Sequence, residues 1–278
     1  MRNPRADSVR GLLLNRARQQ GEDYNQLLTR YALERWLYRL SASDQQPGFV
    51  LKGALLFALW FDEPHRPTRD ADFLGFGEPD PELLRARVQS VCTIACDDGM
   101  RFDPESVQIE PIREQANYEG LRAELLGRLG TARCNVQLDV GYGDAITPEA
   151  QQMDYPTILA DLPVPRLRTY PKETVLAEKL EATIVLGMRN SRMKDYFDMW
   201  VLLRRGGIDS RLLGAAIQAT CERRGTPLPE SWPIGWSAHC SSSRTTSGRF
   251  NVATRHWKPW PRLSTIPTSV CQQWPTDS

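Results

Sequence analysis

Apolar residues return at helical spacing through Leu27, Leu28, Tyr31, Ala32, Trp36, Leu37 and Leu40, with Arg and Glu between them, which predicts helices across residues 7–41. A loop at 42–48 follows, then the short apolar run Phe49-Val50-Leu51 and a buried helix over 54–60. Beyond this the period falls to two. Residues 68–75 and 133–141 read as strands, with a mixed helix-and-strand stretch between them and a further strand at 109–112. Residues 162–168 are extended and punctuated by proline, a hinge into a second half with helices at 173–187, 192–204 and 210–223. No internal repeat is visible. The expected organisation is N-terminal helices at 1–48, a core at 49–161, a helical part at 162–230 and a tail from 231. The class that follows is α/β (α+β): a small mixed sheet flanked by helices, plus a helical C-terminal part.

The first strand carries the chemistry. In Arg69-Asp70-Ala71-Asp72 the side chains alternate, so Asp70 and Asp72 share one face, about 7 Å apart along the chain. Carboxylates held side by side repel unless a cation lies between them. All-oxygen ligands suit Mg²⁺, which takes one or two protein carboxylates and completes its shell with phosphate and water. In Cys134-Asn135-Val136-Gln137-Leu138-Asp139-Val140 the apolar residues alternate strictly with polar ones, and Asp139 falls on the polar face. Paired beside the first strand, Asp139 becomes a third carboxylate. Three can hold two Mg²⁺ ions, one activating a hydroxyl and one clamping a triphosphate, and Asp139 also suits the base that takes the hydroxyl proton. A solvated Asp on an exposed strand is the alternative. Upstream, Gly53 and Ala54 open a helix after an extended run, and small residues there let backbone N–H groups approach a phosphate. Lys52 beside them suits a triphosphate. Close helix packing is the other use of a Gly-Ala pair.

Composition narrows the class without choosing a function. The 278 residues, 41% hydrophobic and 25% charged, are enough for one large domain or two small ones with a real core. A formal charge of +1 gives no global signal for nucleic acid. Only five of the 35 basic residues are lysine, and Lys52, Lys179 and Lys194 all fall in segments singled out for other reasons. No run of about 18 apolar residues exists and the N-terminus is charged, so a cytoplasmic protein without a membrane partner is expected. Cys92, Cys96, Cys134, Cys221, Cys240 and Cys271 form no CxxC pair, which points to free thiols rather than zinc or disulfides.

In the second half, Lys179 shares a helix face with Val175, Leu176, Ala182, Thr183 and Leu186, where a charge is unexpected. It either snorkels at the core edge or points at a phosphate. Lys194 and Asp198 stand at i, i+4, an ion-pair spacing in the weaker order, in a helix capped by Asn190 or Ser191. His65 precedes the first strand and reads as a loop contact rather than a base.

Leu51-Lys52-Gly53-Ala54, Arg69-Asp70-Ala71-Asp72, Leu138-Asp139-Val140, Glu178-Lys179-Leu180-Glu181-Ala182 and Lys194-Asp195-Tyr196-Phe197-Asp198 occur in this order. Together they resemble the AbiEii/AbiGii toxin family of nucleotidyltransferases, MenT toxins included, across residues 5–230. The resemblance implies a polymerase-β-type nucleotidyltransferase core and an enzyme that uses Mg²⁺ to move a nucleotide from an NTP to a hydroxyl, with tRNA 3′ ends or another RNA as acceptor. It also implies a cognate antitoxin and a phage-defence or toxin–antitoxin setting. By this resemblance Asp70 and Asp72, with Asp139, are metal ligands. Lys52, Gly53 and Ala54 lie on the triphosphate side with Arg69, Lys194 and Asp195, and Lys179 and Asp198 complete the catalytic set. Ala54 stands where the family usually has Gly or Ser and brings no hydroxyl. A catalytically inactive or truncated relative, binding only an antitoxin or nucleic acid, is the alternative.

From residue 231 the character changes. The last 48 residues hold five of the eight tryptophans, two of the three histidines and one acidic residue, Asp277. Disordered segments are poor in aromatics, so the composition fits a tail translated out of frame. A basic aromatic tail that stacks on single-stranded nucleic acid is the alternative. The alternative reading frame of the gene separates the two.

Overall fold

The computed structural model describes residues 3–61, 68–112, 120–187 and 192–228. Two helices lead. In α1 (Pro4–Gln20) the Asn3 side chain accepts from the N–H groups of Arg5 and Ala6, and Pro4 fills the first turn, where its missing donor is not needed. Asp23 caps α2 (Tyr24–Ser41) through the Gln26 N–H.

Seven strands form one mixed sheet: β1 (Phe49–Lys52), β2 (Asp70–Gly75), β3 (Met100–Ile112), β4 (Gly120–Leu129), β5 (Ala132–Tyr142), β6 (Gln151–Asp154) and β7 (Arg166–Thr169). Their order is β3-β4-β5-β2-β1-β7-β6. β2 runs parallel to β5 and β1 parallel to β7, and the remaining neighbours are antiparallel. One face of the sheet is apolar. Ala71 and Phe73 of β2 point there with Val136, Leu138 and Val140 of β5, all buried. Trp36 of α2 meets Phe73 edge-on at 5.9 Å, and Phe49 meets it at 5.6 Å. Burial of each large side chain is worth about 1.5–3 kcal/mol, so this face commits the register of the strands. A slip of one residue would put Asp70 and Asp72 into the core.

The Arg and Glu residues between the apolar positions of α2 are not on a solvated face. Glu34, Arg35 and Arg39 are buried because α2 is covered by the sheet, by α1 and by α4 (Pro81–Cys92). Each has partners. Arg39 holds Asp98 through Nη1 at 2.7 Å and Nη2 at 3.0 Å, Arg35 reaches the Pro163 carbonyl, and Glu34 accepts from the Ile158 N–H at 2.6 Å.

Other details differ from the sequence pattern. The expected helix at 54–60 is a 3₁₀ turn over Gly53–Leu56 followed by the single-turn α3 (Phe57–Trp60). The expected short strand at 109–112 is the end of the 13-residue β3, whose register breaks between Asp103 and Gln108. The extended segment at 162–168 runs into β7 and pairs with β6.

The chain separates into two compact units, Met1–Pro171 and Lys172–Ser278. In the second, α5 (Lys172–Leu186) packs against α6 (Met193–Arg205) and α7 (Ser210–Arg224). Asp209 caps α7, and beyond its end Thr226 donates to Glu181 of α5 at 2.6 Å. No described helix is long and apolar enough to cross a membrane. The tail from 231, His65, and the expected caps Asn190 and Ser191 lie outside the described residues.

Candidate active site on the polar face of the sheet

The register of the sheet sets the site. Residues directly opposite each other on paired strands share a face. Lys52 lies opposite Asp72, Asp72 opposite Asp139, and Asp139 opposite Arg122, so one row across β1, β2, β5 and β4 reads Lys52, Asp72, Asp139, Arg122. Two residues along, Asp70 lies opposite Gln137. Asp70, Asp72 and Asp139 therefore converge, with one carboxylate oxygen from each within 4.8 Å of the others. All three are half-buried. An all-oxygen donor set of concentrated negative charge fits a hard divalent cation.

Backbone geometry supports this group. Gly53 has φ +73°, and a Cβ there would sit 1.9 Å from Asp72 Oδ2, so the Lys52–Gly53 corner is packed directly against the carboxylate. Only a residue without a Cβ allows both the left-handed turn and that approach. The Thr68 hydroxyl donates to Asp70 Oδ1.

Both ends of the row carry cations with defined partners. Lys52 Nζ lies 2.7 Å from Asp144 Oδ2 and 5.6 Å from the centre of the Tyr170 ring. Arg122 grips Asp139 with both arms, Nε to Oδ1 and Nη2 to Oδ2, each at 2.8 Å. That hydrogen-bonded pair drives the Arg122 guanidinium above its ordinary pKa. Asp144 and Arg122 were not singled out in the sequence. The polar–apolar–polar order Arg122-Ala123-Glu124 is the available signal of a strand with a polar face, but only the register identifies Asp139 as the partner of Arg122.

The second unit holds a separate constellation. Lys179 of α5 is only 13% exposed at its side chain, and its Nζ lies 2.6 Å from Asp195 Oδ1 and 2.9 Å from Asp198 Oδ2 of α6. Burial pulls the Lys179 ammonium down, but the Asp198 and Asp195 carboxylates outweigh it and the net shift is upward. Asp198 thus pairs across helices with Lys179, and Lys194 on its own helix is exposed. Ala54 is half-buried beside Gly53, and Arg69 is exposed just before β2.

The described cysteines take no part. Cys92, Cys134 and Cys221 are buried free thiols, and burial pushes Cys92 up to about 12 and Cys134 up to about 11.

A sequence model described as "Nucleotidyl transferase AbiEii toxin, Type IV TA system" matches residues 35–253. The chain belongs to this AbiEii family. The match spans both units, and it includes every residue named in the two constellations. No curated protein matches the chain in sequence. Among solved structures it is similar to JHP933 from Helicobacter pylori at 18% identity and TM-score 0.45, covering 69% of this chain and 72% of that one. It is also similar to an antigenic nucleotidyltransferase-like protein from Paracoccidioides brasiliensis at 14% identity and TM-score 0.40, covering 69% of this chain and 89% of that one.

Proposed function

We propose that this AbiEii-family chain transfers a nucleotide from an NTP to a hydroxyl of RNA, with the tRNA 3′ end as acceptor, in a Mg²⁺-dependent reaction restrained by a cognate antitoxin. The observation that carries the reading is the convergence of Asp70, Asp72 and Asp139 on one polar sheet face. Phosphoryl chemistry asks a protein for positioning and for neutralisation of charge rather than for covalent help. Asp70, Asp72 and Asp139 are the residues that would hold the metal. When bound, Mg²⁺ supplies charge neutralisation at the triphosphate and acidifies the attacking hydroxyl.

The chain's own residues divide the remaining work. Gly53 keeps the Lys52–Gly53 corner close to Asp72, so backbone there can approach a phosphate. Lys52, held by Asp144, places an ammonium beside Asp72 on the site face. Asp139 accepts the proton of the acceptor hydroxyl through whichever oxygen lone pair the Arg122 fork leaves open. Arg69, just before β2, serves as a further phosphate contact. For the second unit the reading rests on the resemblance, which gives Lys179, Asp195 and Asp198 to the reaction as a charged group, with Lys194.

The test is incubation with total tRNA, Mg²⁺ and each of the four α-labelled NTPs, beside Asp70→Ala. Label on tRNA that is lost in the variant supports the reaction, the base and the role of Asp70 together. Label retained in Asp70→Ala excludes this metal site.

A further inference from the structure

We infer that Arg122 is a positioning residue that fixes Asp139 and limits the charge of the carboxylate cluster, so that the cluster alone takes one divalent cation and a second binds firmly only when a triphosphate supplies further ligands. This rests on the metal-site reading above. Arg122 and Asp139 are direct cross-strand neighbours on β4 and β5, and their contact is a two-armed fork with both distances at 2.8 Å. A lysine cannot make that contact, because its ammonium is a single point of charge. The fork fixes the carboxylate plane as well as its place.

A carboxylate offers about four lone-pair sites. The fork uses one on each oxygen, and with the Gln137 amide turned so that its oxygen accepts from Arg122 Nε and Nη2 at 3.2 Å, one on each is left for another partner. Asp139 can therefore ligate a cation while Arg122 still holds it. The pairing also changes the charge. Three carboxylates carry −3, and with the guanidinium the group carries −2, the charge that a single divalent ion cancels. Lys52 at the other end of the row brings Asp144 with it, so that pair adds no net charge. A group already balanced by one ion has little pull for a second, which must then arrive with the phosphates. The Arg122 side chain is 37% exposed, so it faces the solvent side of the site and its removal leaves no buried hole.

The experiment is a calorimetric titration of the full chain with Mn²⁺, without nucleotide, for the parent and for Arg122→Gln, Arg122→Lys and Asp70→Asn. Removing a unit positive charge a few ångströms from a divalent ion tightens its binding by about tenfold in a well-screened site. Arg122→Gln should therefore bind Mn²⁺ about tenfold more tightly than the parent. Arg122→Lys should bind it like the parent yet lower kcat with little change in the KM for NTP, because it keeps the charge and loses the fork. A nonhydrolysable NTP should close the gap between parent and Arg122→Gln. Equal or weaker Mn²⁺ binding by Arg122→Gln overturns the proposal, and Arg122→Met gives the same reading if the Gln variant does not fold. Loss of binding in Asp70→Asn with no tightening in Arg122→Gln overturns the role of Arg122 alone. Binding unchanged in Asp70→Asn, or none in the parent, overturns the metal site and this inference with it.

Discussion

Gly53 and Asp72 are in steric register: a methyl group on Gly53 would lie 1.9 Å from Asp72 Oδ2 and 2.7 Å from its carboxyl carbon. The contact joins backbone on the phosphate side of the site to the Asp72 side chain on its metal side, and because Asp72 Cβ would lie 2.8 Å away as well, turning the carboxyl group alone cannot absorb a change. Gly53→Ala must therefore move Asp72 as well as strain a φ of +73°. The strain alone costs on the order of 1 kcal/mol. The displaced carboxylate costs activity beyond that, since a misplacement of about 1 Å in a catalytic group is worth about a hundredfold. The expected result is a chain that melts a few degrees lower and has lost at least about a hundredfold in transfer rate. Near-parent activity in Gly53→Ala would refute the close packing.

Asp70 and Asp72 crowd negative charge with Asp139, an arrangement that favours a cation and strains the metal-free fold. Sites built for function commonly give up stability in this way. Asp72→Asn should leave the metal-free melting temperature unchanged or raise it, while transfer falls by at least about a hundredfold. Chelation of divalent cations should silence the parent and leave its melting temperature near that of Asp72→Asn. Thermal melts with and without EDTA, beside the labelling assay, measure both effects.

In the second unit the balance runs the other way. Lys179 lies between Asp195 and Asp198, and the Asp198 side chain has no solvent exposure. Removing one partner of a buried ion pair leaves uncompensated charge and costs about 3–5 kcal/mol. Lys179→Ala should therefore destabilise the α5–α6 packing by that order, as read from urea unfolding. The double variant Lys179→Met with Asp198→Leu should recover most of the loss, because it removes charge from both sides. Recovery of stability without recovery of transfer would separate the structural role of the pair from its chemistry.

Much of this was legible in the chain because two rules are strict. Alternation along a strand placed Asp70 and Asp72 on one face and Asp139 on the polar face of its own strand. Helical spacing found α5, α6 and α7 to within a residue or two, and placed helices across 7–41 without separating α1 from α2. What spacing cannot supply is register between strands distant in sequence, and so Arg122 stayed unmarked although its strand alternates cleanly. β3 was shortened for a different reason. It carries Pro104 and Pro111, which argue against a strand in the middle of a sheet, but β3 is an edge strand and tolerates them. The burial of Glu34, Arg35 and Arg39 could not be read from spacing, because it arises from the sheet, α1 and α4 together covering α2 on several sides. The family match ends at residue 253, within the tail whose composition departs from the rest.

The last prediction concerns that buried charge. Burial pushes the Glu34 carboxyl up to about 7 against the pull of Arg35, whose Nη2 lies 2.7 Å from Oε1. In the unfolded chain the same group titrates near its ordinary value of about 4.3. Between these two values the folded state holds a proton that the unfolded state has released, so the unfolded state binds fewer protons and stability falls as pH rises. Above about pH 7 both states are ionised and this contribution stops changing. Each decade of proton affinity is worth about 1.4 kcal/mol, so the loss across the window is on the order of 3–4 kcal/mol. Glu34→Gln removes the titrating group, and its amide oxygen can still accept from the Ile158 N–H. It should abolish the fall in unfolding free energy between pH 5 and 7 even if it lowers stability overall by leaving Arg35 without its counter-charge. Denaturant unfolding at pH 5, 6, 7 and 8 on parent and variant measures the slope. A parent whose stability rises across that window would mean that Glu34 is ionised in the fold throughout, held by Arg35 rather than neutralised by burial.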